Sequence, residues 1–142
     1  MEQIKIHYIR DVEKIKKIEK GDWVDLRAGK DVKLTKGQFA LIPLGVSMKL
    51  PAGYEGILAP RSSTFKHWGI LQVNSIGVFD ESYCGTDDEW LMAVYATRDT
   101  EIKKNDRICQ FRIIKHQPEL DFVEADKLEA TNRGGFGSTG KA

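Results

Sequence analysis

The sequence predicts an all-β protein, a jelly-roll-like distorted barrel that contains at most one or two short helices. About eight short segments either alternate apolar with polar residues or are rich in β-branched and aromatic residues, and turn-forming residues punctuate them at regular spacing. Segments with helical spacing are few and short. The 142 residues suffice for one hydrophobic core, so we expect a β-barrel domain over residues 1–130 and a flexible glycine-rich arm over residues 131–142.

The composition is that of a globular protein without a general affinity for polyanions. The chain has 22 basic and 21 acidic side chains and a formal net charge of +1, which predicts no nucleic-acid or membrane partner. The N-terminus lacks an apolar run of signal-peptide length, and no segment reaches the roughly 20 apolar residues of a membrane span. The two cysteines and three histidines lack metal-ligand spacing, and we expect reduced thiols and a cytoplasmic location.

Two elements are predicted near the N-terminus. Residues 3–9 alternate apolar and polar side chains, which is the period of a half-buried strand. Residues 11–20 place Val12, Ile15 and Ile18 three apart among lysines and glutamates. That spacing favours a short helical turn, which the glycine that follows would end.

The next strands carry the first candidate site residue. Residues 23–28 are predicted to form a short strand that holds Asp25 between apolar neighbours, where a carboxylate needs a partner, often an arginine. Residues 39–50 form a longer extended stretch that Pro43 and Gly45 should bend or confine to a sheet edge. Asp25 is therefore either a structural ion-pair residue or part of a site.

A hydroxyl-rich run follows the strand predicted over residues 54–59. Residues 60–64, Pro-Arg-Ser-Ser-Thr, put three hydroxyls beside a cation just after a proline. Such a run can cap the short helix predicted over residues 65–68, and it can also seat an anion. The sequence leaves both interpretations open.

Residues 74–85 set polar side chains on an apolar, glycine-punctuated frame, and we predict a hairpin that forms a pocket. Extended backbone near Asn74 could present its N–H and C=O groups to a planar heterocycle, and the side-chain amide adds a donor and an acceptor. Asp80 stands three residues before Tyr83, so the carboxylate could act as a general base on a water while the ring forms a wall for the substrate. The alternative is that these are ordinary turn residues and a half-buried aromatic.

Three further strands are predicted over residues 90–97, 107–114 and 118–123. In the second of them, Arg107 and Gln110 fall on opposite faces if the strand is regular. Both can serve one site only if the strand contains a bulge or if the two residues serve different subunits.

The C-terminal residues differ sharply from the rest of the chain. Residues 131–140, TNRGGFGSTG, expose consecutive backbone N–H groups that can wrap a phosphate chain, with Ser138 and Thr139 as additional donors. No lysine precedes the serine and no strand leads in, so this is not a Walker loop. A disordered tail is the alternative, but the lone Phe136 favours a lid that stacks on a base.

Together these segments resemble the homotrimeric dUTPase family, nucleotide hydrolases that convert dUTP to dUMP and diphosphate. Five short motifs match in the family's order, and five in order are far more specific than any one alone. The motifs are Asp25-Leu-Arg-Ala28, Pro60-Arg-Ser-Ser63, residues 74–85, Asp106-Arg-Ile-Cys-Gln110 and Gly134-Gly-Phe-Gly-Ser-Thr-Gly140.

The resemblance implies a role for each matched residue. Asp80 would activate the water that attacks the α-phosphorus, and Ser62 would contact the α,β-bridging oxygen, where leaving-group charge develops. Tyr83 would pack under the deoxyribose and leave no room for a 2′-hydroxyl. The other implied substrate-binding residues are Asn74 and Gly77 at the uracil, Arg61, Ser63 and Gln110 at the phosphates or bracing the site, and Arg133, Phe136, Gly137, Ser138 and Thr139 in the arm.

The resemblance also implies a cofactor and a quaternary structure. Mg²⁺ would be held mainly by the three phosphates and by waters, with Asp25 as an outer-sphere partner of those waters. Each site would be assembled from three subunits of a homotrimer, the arm of one chain closing over a site built by the other two. Such sharing would also accommodate Arg107 and Gln110 on opposite strand faces.

The chain departs from the family pattern at two places. The last motif of the family usually has an arginine five residues before the lid phenylalanine, where this chain has Thr131 and its nearest arginine is Arg133. In the third motif, Phe79 stands where a small aliphatic residue is usual and Cys84 where arginine is common. The first departure affects the γ-phosphate contact, and the second affects packing.

Two other functions are open at this point. A dCTP deaminase-like enzyme on the same fold would need a glutamate base near the serine-rich motif, and residues 64–66 offer none. A regulatory module could use its dUTP-bound state to grip a protein partner. The presence of Asp80, Ser62 and the whole arm favours catalysis in either case.

Overall fold

The computed structural model describes residues 1–17 and 19–141. Over these residues the chain forms eleven β-strands and one short α-helix, so the predicted all-β class is confirmed. In chain order the elements are β1 (Lys5–Tyr8), β2 (Val24–Arg27), β3 (Val32–Leu34), β4 (Phe39–Pro43), β5 (Val46–Lys49), β6 (Tyr54–Pro60), α1 (Thr64–Trp68), β7 (Ile70–Gln72), β8 (Gly77–Phe79), β9 (Leu91–Ala96), β10 (Thr100–Ile102) and β11 (Arg107–Lys115).

The strands form two larger antiparallel sheets and two short ladders. One sheet has the order β2-β11-β6-β8 and the other β4-β9-β7, while β1 pairs with β5 and β3 with β10. Because side chains alternate along each strand, one face of each sheet turns inward, and the inward faces share one buried apolar cluster. This is the jelly-roll-like architecture that the turn-punctuated strands predicted.

An aromatic stack fills the core beneath the third motif. The ring of Trp90 is fully buried and stacks on Phe79, with the centroids 3.9 Å apart and the planes 3° from parallel, and Phe111 meets it edge-on. Gly56 lies so close that a Cβ there would stand 2.7 Å from the Trp90 ring. Phe79 therefore completes a stack that a small aliphatic residue could not.

The predicted bend within residues 39–50 is confirmed. β4 and β5 belong to different sheets, and Gly45 between them has φ of +78°, a conformation that favours glycine. A Cβ at this position would stand 3.1 Å from Val12. The close approach of the N-terminal segment therefore also favours glycine here.

The helical turn predicted within residues 11–20 is wrong for the part that the structure describes, which has no helix there. Ile18 lies outside the described residues. Val12 is buried, and the backbone N–H of Ile15 donates to the hydroxyl of Tyr8 at 2.9 Å. Tertiary contacts of single side chains therefore position this segment, and the spacing of its apolar residues does not reflect a helix.

Three other sequence-based expectations need correction. β7 and β8 belong to different sheets, so residues 74–85 are not a hairpin: the chain crosses between the sheets before Gly77, forms β8 and then turns. The strand predicted over residues 118–123 is absent, and residues 116–141 have no helix or strand. The short strands β3 and β10 were not predicted.

Among the described residues, no helix is long and apolar enough to cross a membrane.

Candidate active site

A polar cleft of about 360 Å³ opens beside β2, at the end of β6 and the start of β11. The hydroxyl-rich loop after β6 and the start of β11 form two of its walls. The cleft is lined by Lys20, Gly21, Asp22, Trp23, Asp25, Arg61, Ser62, Arg107 and Gln110. Four of the predicted site residues therefore meet here, although they come from three separate motifs.

Asp25 stands at the centre of the cleft and has the arginine partner that its apolar neighbours predicted. Its Oδ1 lies 3.0 Å from Nε of Arg61, and its Oδ2 lies 3.3 Å from a terminal nitrogen of Arg107. A carboxylate offers about four acceptor positions, so the pairing leaves lone pairs available for water or for a ligand. Together with Lys20, the two guanidinium groups outnumber the carboxylates of Asp25 and Asp22 by one, which leaves the cleft with an excess of positive charge.

A bulge at the start of β11 brings Arg107 and Gln110 to the same cleft. The register against β2 shifts between Arg107 and Cys109, and this shift turns Arg107 toward Asp25. Gln110 donates from its side-chain nitrogen to the carbonyl of Pro60 at 3.1 Å. Of the two possibilities that the sequence left open for this pair, the bulge is therefore sufficient.

The hydroxyls after β6 do not cap the helix as the first interpretation required. Ser63 occupies the N-cap position of α1 but makes no side-chain capping bond. Within the part of the chain that the structure describes, the hydroxyls of Ser62 and Ser63 have no protein hydrogen-bond partner. Both hydroxyls are therefore free to donate to a ligand, and Ser62 lines the cleft itself.

A second, more apolar pocket of about 370 Å³ lies at Val78, Phe79, Asp80, Ser82 and Tyr83. The hydroxyl of Tyr83 donates to the carbonyl of Glu89 at 2.7 Å, which holds the ring in place. Burial raises the pKa of Tyr83, with smaller contributions from the carboxylates of Asp88 and Glu89. The phenol is therefore neutral, and its ring serves as a wall of the pocket.

Asp80 is exposed at the mouth of this pocket and is held as a carboxylate. Its Oδ2 accepts hydrogen bonds from the hydroxyl of Ser82 and, at 2.8 Å, from the backbone N–H of the same residue. The hydroxyl contact is the larger cause of a pKa lowered below the ordinary aspartate value. The lowered pKa keeps the carboxylate ionised, as a proton acceptor must be, but it also makes the carboxylate a weaker base, so its orientation is what suits it to act on a water.

Asn74 and Gly77 flank the crossing from β7 to β8. The side chain of Asn74 is exposed, and its backbone carbonyl accepts the N–H of Ile76 at 2.6 Å. Gly77 pairs with Leu58 on β6, and a Cβ at this position would stand 3.1 Å from that side chain. The glycine therefore allows the crossing to pack directly against β6.

Within one chain the two pockets lie apart. Phe79 pairs with Gly56 near the start of β6, while Ser62 lies beyond Pro60 at its end. Gly56 and Pro60 are four steps apart along the strand, which at about 3.3 Å per residue corresponds to about 13 Å. Asp80 and Ser62 of a single copy are therefore not brought together.

The arm also remains away from both pockets of its own chain. Phe136 is fully exposed with φ of +50°, and the guanidinium of Arg133 donates to the neighbouring Gly134 carbonyl. The N–H of Ser138 donates to Gly135 at 3.1 Å, so the glycine-rich residues form consecutive turns. None of the described arm residues lines either pocket.

Sequence reasoning missed two side chains that organise these pockets. Ser82 binds Asp80, and the spacing of an aspartate two residues before a serine is a signal for such a local turn. Thr64 is fully buried behind the cleft. Its place in a hydroxyl run gave no indication that it would point inward while the two serines remain free.

The side chains of the two pockets indicate a class of protein. Free hydroxyls and guanidinium groups suit phosphate, and an ionised carboxylate beside an aromatic wall suits hydrolysis of a nucleotide. These groups are those expected in a nucleotide hydrolase on an all-β fold. Comparison with known proteins defines the family more narrowly, because the family model described as dUTPase matches residues 8–140.

Curated relatives agree over nearly the whole chain. The SPbeta prophage-derived deoxyuridine 5′-triphosphate nucleotidohydrolase YosS of Bacillus subtilis (strain 168) is 56% identical over 139 residues, which are 97% of this chain and 98% of that protein. A deoxyuridine 5′-triphosphate nucleotidohydrolase of Neorickettsia sennetsu is 38% identical over 121 residues, 82% of this chain and 80% of that protein. The chain belongs to the dUTPase family.

Solved structures share the fold at low sequence identity. A mutant dUTPase of Staphylococcus bacteriophage 80alpha with dUpNHpp matches with a TM-score of 0.79 at 19% identity, covering 97% of this chain and 98% of that one. A mutant dUTPase from phage phi11 of Staphylococcus aureus, solved to describe the coordination of a structural Mg(II) ion, matches with a TM-score of 0.76 at 16% identity and covers 89% and 99%. These matches establish the fold.

Proposed function

We propose that this protein hydrolyses dUTP to dUMP and diphosphate by attack of an Asp80-activated water on the α-phosphorus. The observation that carries the proposal is the state of Asp80, which is exposed, hydrogen-bonded by Ser82 and held ionised beside an aromatic pocket. Membership of the dUTPase family supports the substrate. The carboxylate accepts the proton of the water as the new bond to phosphorus forms.

The aromatic pocket takes the nucleoside. Asn74 and the backbone beside it offer both donors and acceptors to uracil, and cytosine is rejected because its exocyclic amine meets a donor. Tyr83 packs under the deoxyribose, where the ring held by Glu89 leaves no room for a 2′-hydroxyl. Gly77 lets the base-binding segment lie close to β6.

The polar cleft takes the triphosphate. Ser62 donates to the oxygen that bridges the α- and β-phosphates, where negative charge develops as diphosphate leaves. Arg61 and Ser63 add donors, and Gln110 braces the loop through Pro60. In the arm, Phe136 stacks on uracil while Gly137, Ser138 and Thr139 wrap the β- and γ-phosphates. Arg133 takes the place of the usual arginine at the γ-phosphate.

The residues present fit a magnesium ion bound through the substrate. Mg²⁺ would be held mainly by the phosphates and by waters, and Asp25 would accept hydrogen bonds from those waters. The carboxylate of Asp25 has acceptor positions beyond its two arginine partners, which is consistent with that role. Bound there, Mg²⁺ neutralises charge on the phosphates.

The separation of the two pockets supports a site shared between copies in a homotrimer. Asp80 and Ser62 lie toward opposite ends of the β6–β8 pair, so a single triphosphate can reach both only if they come from different chains. The C-terminal segment supports the same conclusion, because several of its large apolar side chains are exposed and need a cover. These are Leu120, Phe122, Val123 and Leu128.

The free thiols of Cys84 and Cys109 favour a reducing, cytoplasmic location.

Diphosphate release with Mg²⁺ tests the proposal directly. The purified protein is incubated with dUTP and, in parallel, with dTTP, dCTP and UTP. We expect release from dUTP that exceeds release from each of the others by at least about a hundredfold, because the site binds the base edge and excludes the 2′-hydroxyl. Equal release from UTP, or ammonia release from dCTP, would contradict it.

A further inference from the structure

Thr64 is the one residue of the hydroxyl run that cannot touch a ligand. It begins α1 directly after Ser62 and Ser63, and its side chain is fully buried. A buried hydroxyl is costly unless it is hydrogen-bonded. Its contacts therefore indicate what it does.

Both hydrogen-bonding functions of the Thr64 hydroxyl are used. The oxygen accepts the backbone N–H of Arg61 at 2.8 Å, and the hydroxyl donates to the carbonyl of Ile108 at 2.9 Å. The first bond closes the loop that carries Ser62 and Ser63. The second bond ties this loop to a strand that is 44 residues away in sequence.

The strand that receives this bond is bulged at the same place. Ile108 lies between Arg107 and Cys109, where the register of β11 against β2 shifts. The guanidinium of Arg61 adds a second tie to this point, since it donates to the carbonyl of Arg107 at 3.2 Å. The loop and the bulge therefore form one hydrogen-bonded unit with Thr64 at its centre.

The groups that face the cleft are attached to the two sides of this unit. Ser62 and Arg61 belong to the loop, and Arg107 belongs to the bulge. We propose that Thr64 is a positioning residue of the phosphate site, whose buried hydroxyl sets the distance between the loop bearing Ser62 and the bulge bearing Arg107. This inference rests on the proposed function, because the effect concerns how Ser62 meets the leaving group.

Replacing Thr64 by valine tests the proposal with little change of shape. The new methyl group would stand where the hydroxyl lies, but a carbon approaches a carbonyl oxygen only to about 3.3 Å or more. The loop and the bulge would then move apart by several tenths of an ångström, and the hydrogen bond from Thr64 to Ile108 that joins them would be lost. Small misplacement of catalytic groups costs up to about a hundredfold in rate.

The expected result is a change in turnover that tracks the hydroxyl. We expect T64V to lower kcat for dUTP by at least about tenfold with a smaller change in KM, since Ser62 acts on charge that develops in the transition state. T64S, which keeps the hydroxyl, should stay within about threefold of wild type. T97V is the matched control, because Thr97 also donates a hydroxyl to a carbonyl, that of Gly69, away from the cleft. It should leave kcat unchanged.

Each outcome decides between the alternatives. A folded T64V with wild-type kcat, or a T64S that loses as much as T64V, would overturn the positioning role. If T64V does not fold, T64A takes its place in the same comparison with T64S. Wild-type protein that releases no diphosphate from dUTP would refute the proposed function and this inference with it, whereas active wild type with active T64V would refute the inference alone.

Discussion

At the scale of single residues, the proposed chemistry depends on Asp80 and on the few groups that hold it in place. The carboxylate is exposed, and its neighbours Ser82 and Tyr83 lie within three residues of it in the chain. A local turn therefore orients the base, while the aromatic wall is fixed from further away through Glu89. The two features can be tested separately.

Replacing Asp80 by asparagine should abolish turnover and leave binding intact. The amide keeps the size of the side chain but cannot accept the proton of the water, and general-base catalysis contributes about 10² to 10⁴ in rate. We expect kcat for dUTP to fall by at least about a hundredfold. Calorimetric binding of a non-hydrolysable dUTP analogue should change little. Turnover close to wild type would show that another group is the base.

Replacing Ser82 by alanine should shift the acid limb of the pH profile. The pKa of Asp80 is lowered mainly by the Ser82 hydroxyl, so its removal raises that pKa toward the ordinary value. The base is then protonated at a higher pH, and kcat/KM should begin to fall at a higher pH as the solution is acidified. Activity near neutral pH should be unchanged.

S82T keeps the hydroxyl and is the control for this shift. Its acid limb should coincide with that of wild type. Superimposable profiles for S82A and wild type would mean that the Ser82 hydroxyl does not tune the base.

At the scale of elements, irregular features build the site. The bulge of β11 turns Arg107 toward Asp25, and the crossing from β7 to β8 carries Asn74 from one sheet to the other. The arm is the extreme case, because it has no helix or strand among its described residues. Regular strands serve mainly to hold these interruptions in place.

Replacing Phe136 by alanine should weaken catalysis without affecting the fold. The ring is fully exposed in the isolated chain, so its removal costs no packing there. Stacking of an aromatic ring on a base contributes about 1–3 kcal/mol, and we expect kcat/KM for dUTP to fall by about ten- to a hundredfold. F136W should retain most of the activity. A loss of thermal stability in F136A would contradict the role as a lid.

At the scale of the whole molecule, the proposed shared site would make the assembly part of the catalyst. The two pockets of one chain lie apart, and each lacks the groups that the other supplies. The exposed apolar side chains of the C-terminal segment require a cover that the chain does not provide for itself. Assembly should therefore be necessary for activity.

Mixing two inactive variants should restore activity. D80N and S62A each remove one half of every site in a homotrimer, but a mixed trimer places an intact Asp80 opposite an intact Ser62 at one of its three sites. Random co-assembly of equal amounts should recover about a quarter of wild-type activity, by the symmetry of a closed ring. Each variant alone is the control. Mixed trimers that stay inactive would show that both residues act within one chain.

The fold class and the family could be predicted from the sequence alone, and the sequence also supplied the candidate site residues. Alternating apolar positions and turn residues specify short strands locally, and five motifs in order specify the chemistry, because both signals lie in neighbouring residues. The bend at Gly45 and the arginine partner of Asp25 were predictable for the same reason.

Which of these residues meet depends on the tertiary structure. The bulge of β11, the crossing at residues 74–85 and the absence of a helix at residues 11–17 depend on contacts between segments far apart in the chain. Thr64 shows the reason most clearly. Three adjacent hydroxyls are equivalent in sequence, but burial against Ile108 makes one of them structural, while the other two have no hydrogen-bond partner among the described residues.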